Sequence, residues 1–135
     1  MDKSLNYLAL ARKGGRVELG EEPVGAAARA GKAYLVVVAS DASDHSWRRA
    51  NSYVTGTDQK CIRLKYTKDE LGRAIGRTSL AMAAFTDVSL ALAFVKAMEA
   101  PVPEVLAYLT EKNSRQEKRR KEAQAHKKNV RKGKK

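Results

Sequence analysis

Cysteine, histidine and aromatic residues are scarce in this chain, and each scarcity excludes something. The 135 residues hold one cysteine, Cys61, so no internal disulfide can form and a reducing compartment is expected. One cysteine and two histidines fall short of the clusters that hold structural zinc, so no metal site is expected. Long apolar runs are missing too. Tyr34 to Ala39 and Leu80 to Phe85 fall far short of the ~20 residues that span a bilayer. The opening Met1-Asp2-Lys3-Ser4-Leu5-Asn6 lacks the charged-then-apolar pattern of a secretory signal. Acidic charge is in deficit, with 27 Lys and Arg against 15 Asp and Glu, a formal +12. The expectation is a soluble, cytoplasmic protein with a polyanionic partner and no membrane contact.

That charge is unevenly placed. Residues 111–135 carry 12 of the basic and three of the acidic side chains, a net of +9, which leaves +3 for residues 1–110. The chain therefore divides into a near-neutral domain, 1–110, and a basic tail, 111–135. A body of that size buries roughly 65% of its unfolded surface, enough for a core without disulfide or metal.

Helix and strand patterns alternate along the body. Leu5, Leu8 and Ala9 form an apolar stripe over 4–13, stopped by Gly14-Gly15. A second helix is expected to start at Pro23, whose missing N–H costs nothing in a first turn, and to close at Gly31. The unbroken run Tyr34 to Ala39 suits a strand covered on both faces. Ser40-Asp41 and Ser43-Asp44 offer caps for a helix over about 44–56. Cys61 to Tyr66 reads as a second strand, and Thr67-Lys68-Asp69-Glu70 as a capping box before the next helix. Leu80 to Phe85 is a third strand, followed by a helix capped at Thr86-Asp87. After Pro101 and Pro103, Val102, Val105, Leu106 and Leu109 make a last stripe that docks on the body. The tail beyond is a solvated helix or disordered. Such alternation calls for an α/β fold with helices on both faces of the sheet, a three-layer α-β-α sandwich.

No catalytic set emerges. His45 stands beside Asp44 at a helix start, where capping explains it, and His126 lies in the tail. Cys61 begins a strand and reads as a small core hydrophobe rather than a nucleophile. Neither G-x-x-x-x-G-K-[ST] nor G-x-G-x-x-G occurs, so no cofactor or small-molecule substrate is expected. The tail, with Lys and Arg but no aromatic residue, can neutralise phosphates without stacking on bases. The lesser alternative is a merely solubilising appendage.

Two body segments stand out. Val17-Glu18-Leu19-Gly20-Glu21-Glu22-Pro23 leads into the second helix, where free backbone N–H groups can meet phosphate. Glu21 and Glu22 there can accept hydrogen bonds from guanine, or simply complement the helix dipole. In Glu70-Leu71-Gly72-Arg73-Ala74-Ile75-Gly76-Arg77-Thr78-Ser79, Gly72 permits close backbone approach and Gly76 can end the helix before a polar loop. Packing alone could account for Gly72.

These segments, with Leu8-Ala9-Leu10-Ala11-Arg12-Lys13-Gly14-Gly15 and the stretch from Gly31 to Ser43, resemble the kink-turn-binding ribosomal-protein family, of L-seven-Ae and L-thirty-e type, and especially its small bacterial members. The E-L-G-x-x-x-G element together with G-K-A-x-L-V-V-V-A-S-D-A-S carries the likeness, which spans residues 8 to about 95. The resemblance implies an α-β-α sandwich with a small mixed sheet that binds a sharply bent RNA internal loop containing tandem sheared G·A pairs. It implies that Gly20, Glu21 and Glu22 face the guanines, that Arg77, Thr78 and Ser79 after Gly76 cover a flipped-out nucleotide, and that Asp41 lies nearby. Arg16 and Lys32 complete the expected body set. In the tail, Lys118, Arg119, Arg120, Lys121, Lys127, Lys128, Arg131 and Lys132 are the expected phosphate contacts. Archaeal members have an Asn-Glu pair where this chain has Glu22-Pro23, a basic residue in place of Ala26, and a more apolar covering loop.

The expected function is a non-catalytic, monomeric, ribosome-associated protein that binds structured ribosomal RNA or another kink-turn RNA. The alternative is an accessory RNA-substrate-binding or protein-interaction module that works with a separate enzyme.

Overall fold

A computed structural model describes the backbone of residues 2–133 and the side-chain surroundings of residues 2–125. The elements, in order, are α1 (Lys3–Lys13), β1 (Val17–Leu19), α2 (Glu21–Arg29), β2 (Leu35–Val38), α3 (Asp44–Val54), β3 (Lys60–Arg63), α4 (Lys68–Ala74), β4 (Met82–Phe85), α5 (Val88–Ala97) and α6 (Pro103–Gly133). Capping chemistry starts most of the helices. Asp2, Ser43, Thr67 and Asp87 each accept a hydrogen bond from a first-turn N–H with the side chain, and Thr67 and Glu70 close a reciprocal capping box.

The sheet order is β1-β4-β2-β3, with β2 and β3 parallel and the other pairs antiparallel. Every residue of the two central strands, β2 and β4, is buried, as a sheet covered on both faces requires. Helices α2 and α3 pack together over one face; α1, α5 and α6 pack together over the other, and α4 lies against α1. Phe85 and Phe94, with ring centroids 5.0 Å apart, tie β4 to α5. The expected three-layer α-β-α architecture with a mixed sheet is what forms.

Three details differ from the sequence expectation. Val17–Leu19 is a fourth strand, an edge strand paired with β4, rather than only the approach to a helix. α2 begins at Glu21, so Pro23 occupies the third helical position, still within the turn where a backbone N–H has no intrahelical partner. The strand expected over Cys61 to Tyr66 ends at Arg63, because Leu64 N–H still bonds Val38 but Tyr66 turns to accept from Ser40 N–H.

Of the two states expected for the tail, the helical one forms. α6 is one helix through Gly133, and its contacts with the body continue past Leu109: Lys112 pairs with Asp58 at 3.0 Å and Asn113 accepts from Ser89 Oγ at 2.9 Å. Among the described residues no helix is long and apolar enough to cross a membrane.

Candidate nucleic-acid interface

The strand register decides which loops share an end of the sheet. Leu19 lies opposite Ala83 and Val38 opposite Met82, so the end of β1, the end of β2 and the start of β4 all open the same way. Backbone hydrogen bonds stitch them together: Gly20 N–H to Met82 O (3.0 Å), Ala39 N–H to Ala81 O (2.9 Å) and Leu80 N–H to Lys68 O (3.0 Å). Gly20–Glu22, Asp41 and Gly76–Ser79 are thereby gathered at one end.

At the first of these loops Gly20 takes φ +95°, a region that favours glycine, and precedes α2 without any side-chain cap. The N–H groups of Glu21 and Glu22 are thus left for a ligand, and Pro23 has none to offer. The two carboxylates differ. Glu21 pairs at 2.5 Å with Arg49 of α3, whose guanidinium also donates to Tyr53 Oη at 3.2 Å. Tyr53 first, and Glu21 after it, hold the Arg49 pKa above its ordinary value. Glu22 is exposed and has no ion-pair partner among the described residues. Arg49 is the participant that sequence reasoning missed. The only signal was a basic pair, Arg48-Arg49, on a helix with no stated partner.

The loop after α4 is shaped by two glycines. α4 ends with Gly76 at φ +76°, Gly76 N–H bonding Arg73 O and Arg77 N–H bonding Gly72 O, the paired pattern of a Schellman stop. This folds residues 77–79 back over Gly72 so tightly that a Cβ there would lie 2.6 Å from Ser79 N and Cα. Gly76, Arg77, Thr78 and Ser79 are all exposed on that template. Asp41 accepts from Lys68 N–H at 2.8 Å, so its carboxylate fastens the third loop to the start of α4.

Arg16 and Lys32 are elsewhere. Arg16 precedes β1, its carbonyl accepts from Thr86 N–H, and its guanidinium pairs with Asp87 at 3.4 Å; Lys32 precedes β2. Both stand at the opposite end of the sheet, a separation that no local pattern reveals. Lys118, Arg119, Arg120 and Lys121 are exposed on α6, with no acidic partner among the described residues. The side chains of Lys127, Lys128, Arg131 and Lys132 lie outside the described residues. Burial pushes the Cys61 thiol up to about 12, so it stays protonated at neutral pH, and His45 is exposed in the first turn of α3.

Solved structures share this fold. A protein of unknown function from Bacillus halodurans matches with TM-score 0.68 at 24% identity, over 74% of this chain and 100% of its own. The Giardia lamblia 15.5kD RNA binding protein matches with TM-score 0.59 at 19% identity, over 78% of this chain and 87% of its own. No curated protein matches the chain in a sequence comparison. The pattern of one family covers residues 2–93, from the N-cap of α1 through most of α5, and includes every loop at the Gly20–Asp41–Ser79 end. On that match the chain belongs to the Ribosomal protein L7Ae/L30e/S12e/Gadd45 family.

Proposed function

We propose that this chain is a non-catalytic RNA-binding protein whose Gly20–Glu22, Asp41 and Gly76–Ser79 loops recognise a kink-turn-like bent internal loop. The observation that carries the reading is the convergence of these loops around an uncapped helix N-terminus at one end of the sheet. The free N–H groups of Glu21 and Glu22 supply donors for a phosphate. The exposed Glu22 carboxylate supplies acceptors for guanine N–H groups, which a phosphate-only site would have no use for. Glu21 positions that turn, and Arg49 offsets its charge near the RNA. Arg77, Thr78 and Ser79 cover the flipped nucleotide with one cation and two hydroxyls. Docked by its Val105 and Leu109, α6 adds sequence-independent affinity. A kink-turn segment of ribosomal RNA is the target that fits this division of labour, with the protein cytoplasmic and ribosome-associated.

The test is a pair of RNAs, a minimal kink-turn and the same strand with its sheared G·A pairs replaced by Watson–Crick pairs, at fixed salt. Binding tenfold or more tighter to the first is expected. Equal affinity would leave only charge attraction.

A further inference from the structure

The end of the sheet that holds Arg16 and Lys32 has its own constellation. A cleft of about 260 Å³ opens there between the starts of β2 and β3 and the docked part of α6. Tyr34 and Asp58 line one wall; Tyr108, Lys112, Arg115 and Arg119 line the other. The four α6 residues are spaced 4, 3 and 4 apart, so they share one helix face. An aromatic thus sits at the root of a cationic stripe, although the tail itself has none.

Charge in the cleft is arranged rather than scattered. Lys112 is committed to Asp58, and the Lys60 and Lys112 ammonium groups stand 5.2 and 5.8 Å from the Tyr108 ring centre. Arg115 pairs, among the described residues, with Glu111 on its own helix at 2.6 Å, an exposed contact that competes weakly with a phosphate. Arg119 has no ion-pair partner among the described residues. The Gln116 amide oxygen, also in the cleft wall, is buried without a hydrogen-bond partner among the described residues. At this volume the cleft lies below the usual ~300–1,000 Å³ of small-molecule pockets, but it can admit part of a nucleotide from an extended strand.

We propose that this cleft and α6 beyond it form a second RNA surface, which takes a single-stranded segment with one base against Tyr108, in place of the Lys60 ammonium over that ring, and its phosphates along Arg115 and Arg119. α6 continues past Gln116 with Lys118, Arg120 and Lys121 exposed, which extends the phosphate track. The surface lies at the other end of the sheet from the kink-turn loops and does not rest on that reading. One protein can thereby hold a bent element at one end and a flanking single strand at the other.

The probe is a fluorescein-labelled ten-residue oligoadenylate, with the full chain, competed by inorganic polyphosphate, which has charge but no bases. Tyr108→Leu changes no charge and should weaken oligoadenylate binding at least about fivefold, the lower range for a lost stacking contact. It should leave polyphosphate binding unchanged. The pair Arg115→Gln and Arg119→Gln should lower the magnitude of the slope of log affinity against log salt by about 1.4. Because Tyr108 also packs on the core, photo-cross-linking of a 5-bromouridine oligonucleotide to the unaltered chain gives an independent readout. Cross-links at Tyr34 or Tyr108 support the site. Cross-links confined to residues beyond 120, or an unaltered affinity in a folded Tyr108→Leu, would reduce it to a charged tail. Glu22→Gln should not affect oligoadenylate, so failure of the kink-turn reading and failure of this one are separable.

Discussion

Replacing Gly72 with alanine probes the template on which the Arg77–Ser79 loop rests. Gly72 is buried in α4, and an added Cβ would stand 2.6 Å from Ser79 N and Cα and 2.9 Å from Arg77 O. Carbon contacts are comfortable at about 3.5–4.0 Å, so the loop must withdraw by about 1 Å. All three atoms are backbone and cannot rotate aside. They are also tethered, by Arg77 N–H to Gly72 O at 2.8 Å and by Leu80 N–H to Lys68 O at 3.0 Å. Alanine gains up to about 1 kcal/mol in helix propensity, while overpacking a filled site costs about 1–3 kcal/mol. Steric cost wins. A net loss of about 1–2 kcal/mol is expected in urea denaturation with an unchanged m-value, together with displaced amide resonances for Arg77–Ser79. Kink-turn affinity should fall with the loop, while oligoadenylate binding at the other end holds. A Gly72→Ala chain as stable as the original, or more so, would refute the close-approach argument.

Glu22→Gln keeps size and removes the exposed carboxylate. Kink-turn binding should drop about tenfold or more, since a hydrogen bond to a charged group is worth about 1.5–3 kcal/mol, while binding to a plain duplex holds or rises. Fluorescence anisotropy on both RNAs checks this, and tightening on both would remove Glu22 as a guanine reader. Gln59 is buried, accepting from Ala33 N–H at 2.9 Å and donating to Ala28 O at 3.1 Å. Gln59→Leu orphans both backbone groups and should cost about 2 kcal/mol or more in urea denaturation. A chain ending at Arg120 retains Lys112–Asp58 and Asn113–Ser89 and should melt close to the full-length temperature, whereas a chain ending at Thr110 should melt a few degrees lower by calorimetry.

Local signals were legible in the sequence, and the spatial ones were not. The Thr67–Glu70 capping box and the Gly76 stop are spelled out by residues within one turn of each other, and the structure has both. The unbroken run Tyr34 to Ala39 announces a strand buried on both faces and Leu80 to Phe85 a further strand, and the structure has them at Leu35–Val38 and Met82–Phe85. Val17–Leu19 was missed because three residues give barely one alternation, and its strand character comes from pairing with β4, with Glu18 opposite Ala84 far along the chain. The order β1-β4-β2-β3 is likewise absent from any local pattern. That order separates Arg16 and Lys32 from Glu22 and Ser79. It also brings α2 against α3, so that Arg49 can bind Glu21, a pairing that spacing along one helix could not indicate. Apolar periodicity fades after Leu109, yet the helix continues, because Lys, Arg, Glu, Gln and Ala sustain it by propensity once the docked turns have nucleated it.

On the proposed function, the loops at one end of the sheet, rather than the basic helix alone, meet the bent RNA. An amide chemical-shift map of the isotope-labelled full chain, titrated with a minimal kink-turn RNA at a salt concentration that suppresses weak phosphate contacts, tests it directly. The predicted result is that the largest perturbations fall on Gly20–Glu22, Asp41 and Gly76–Ser79, with smaller ones along α6. Perturbations confined to α6, with those three loops unmoved at saturation, would contradict the account.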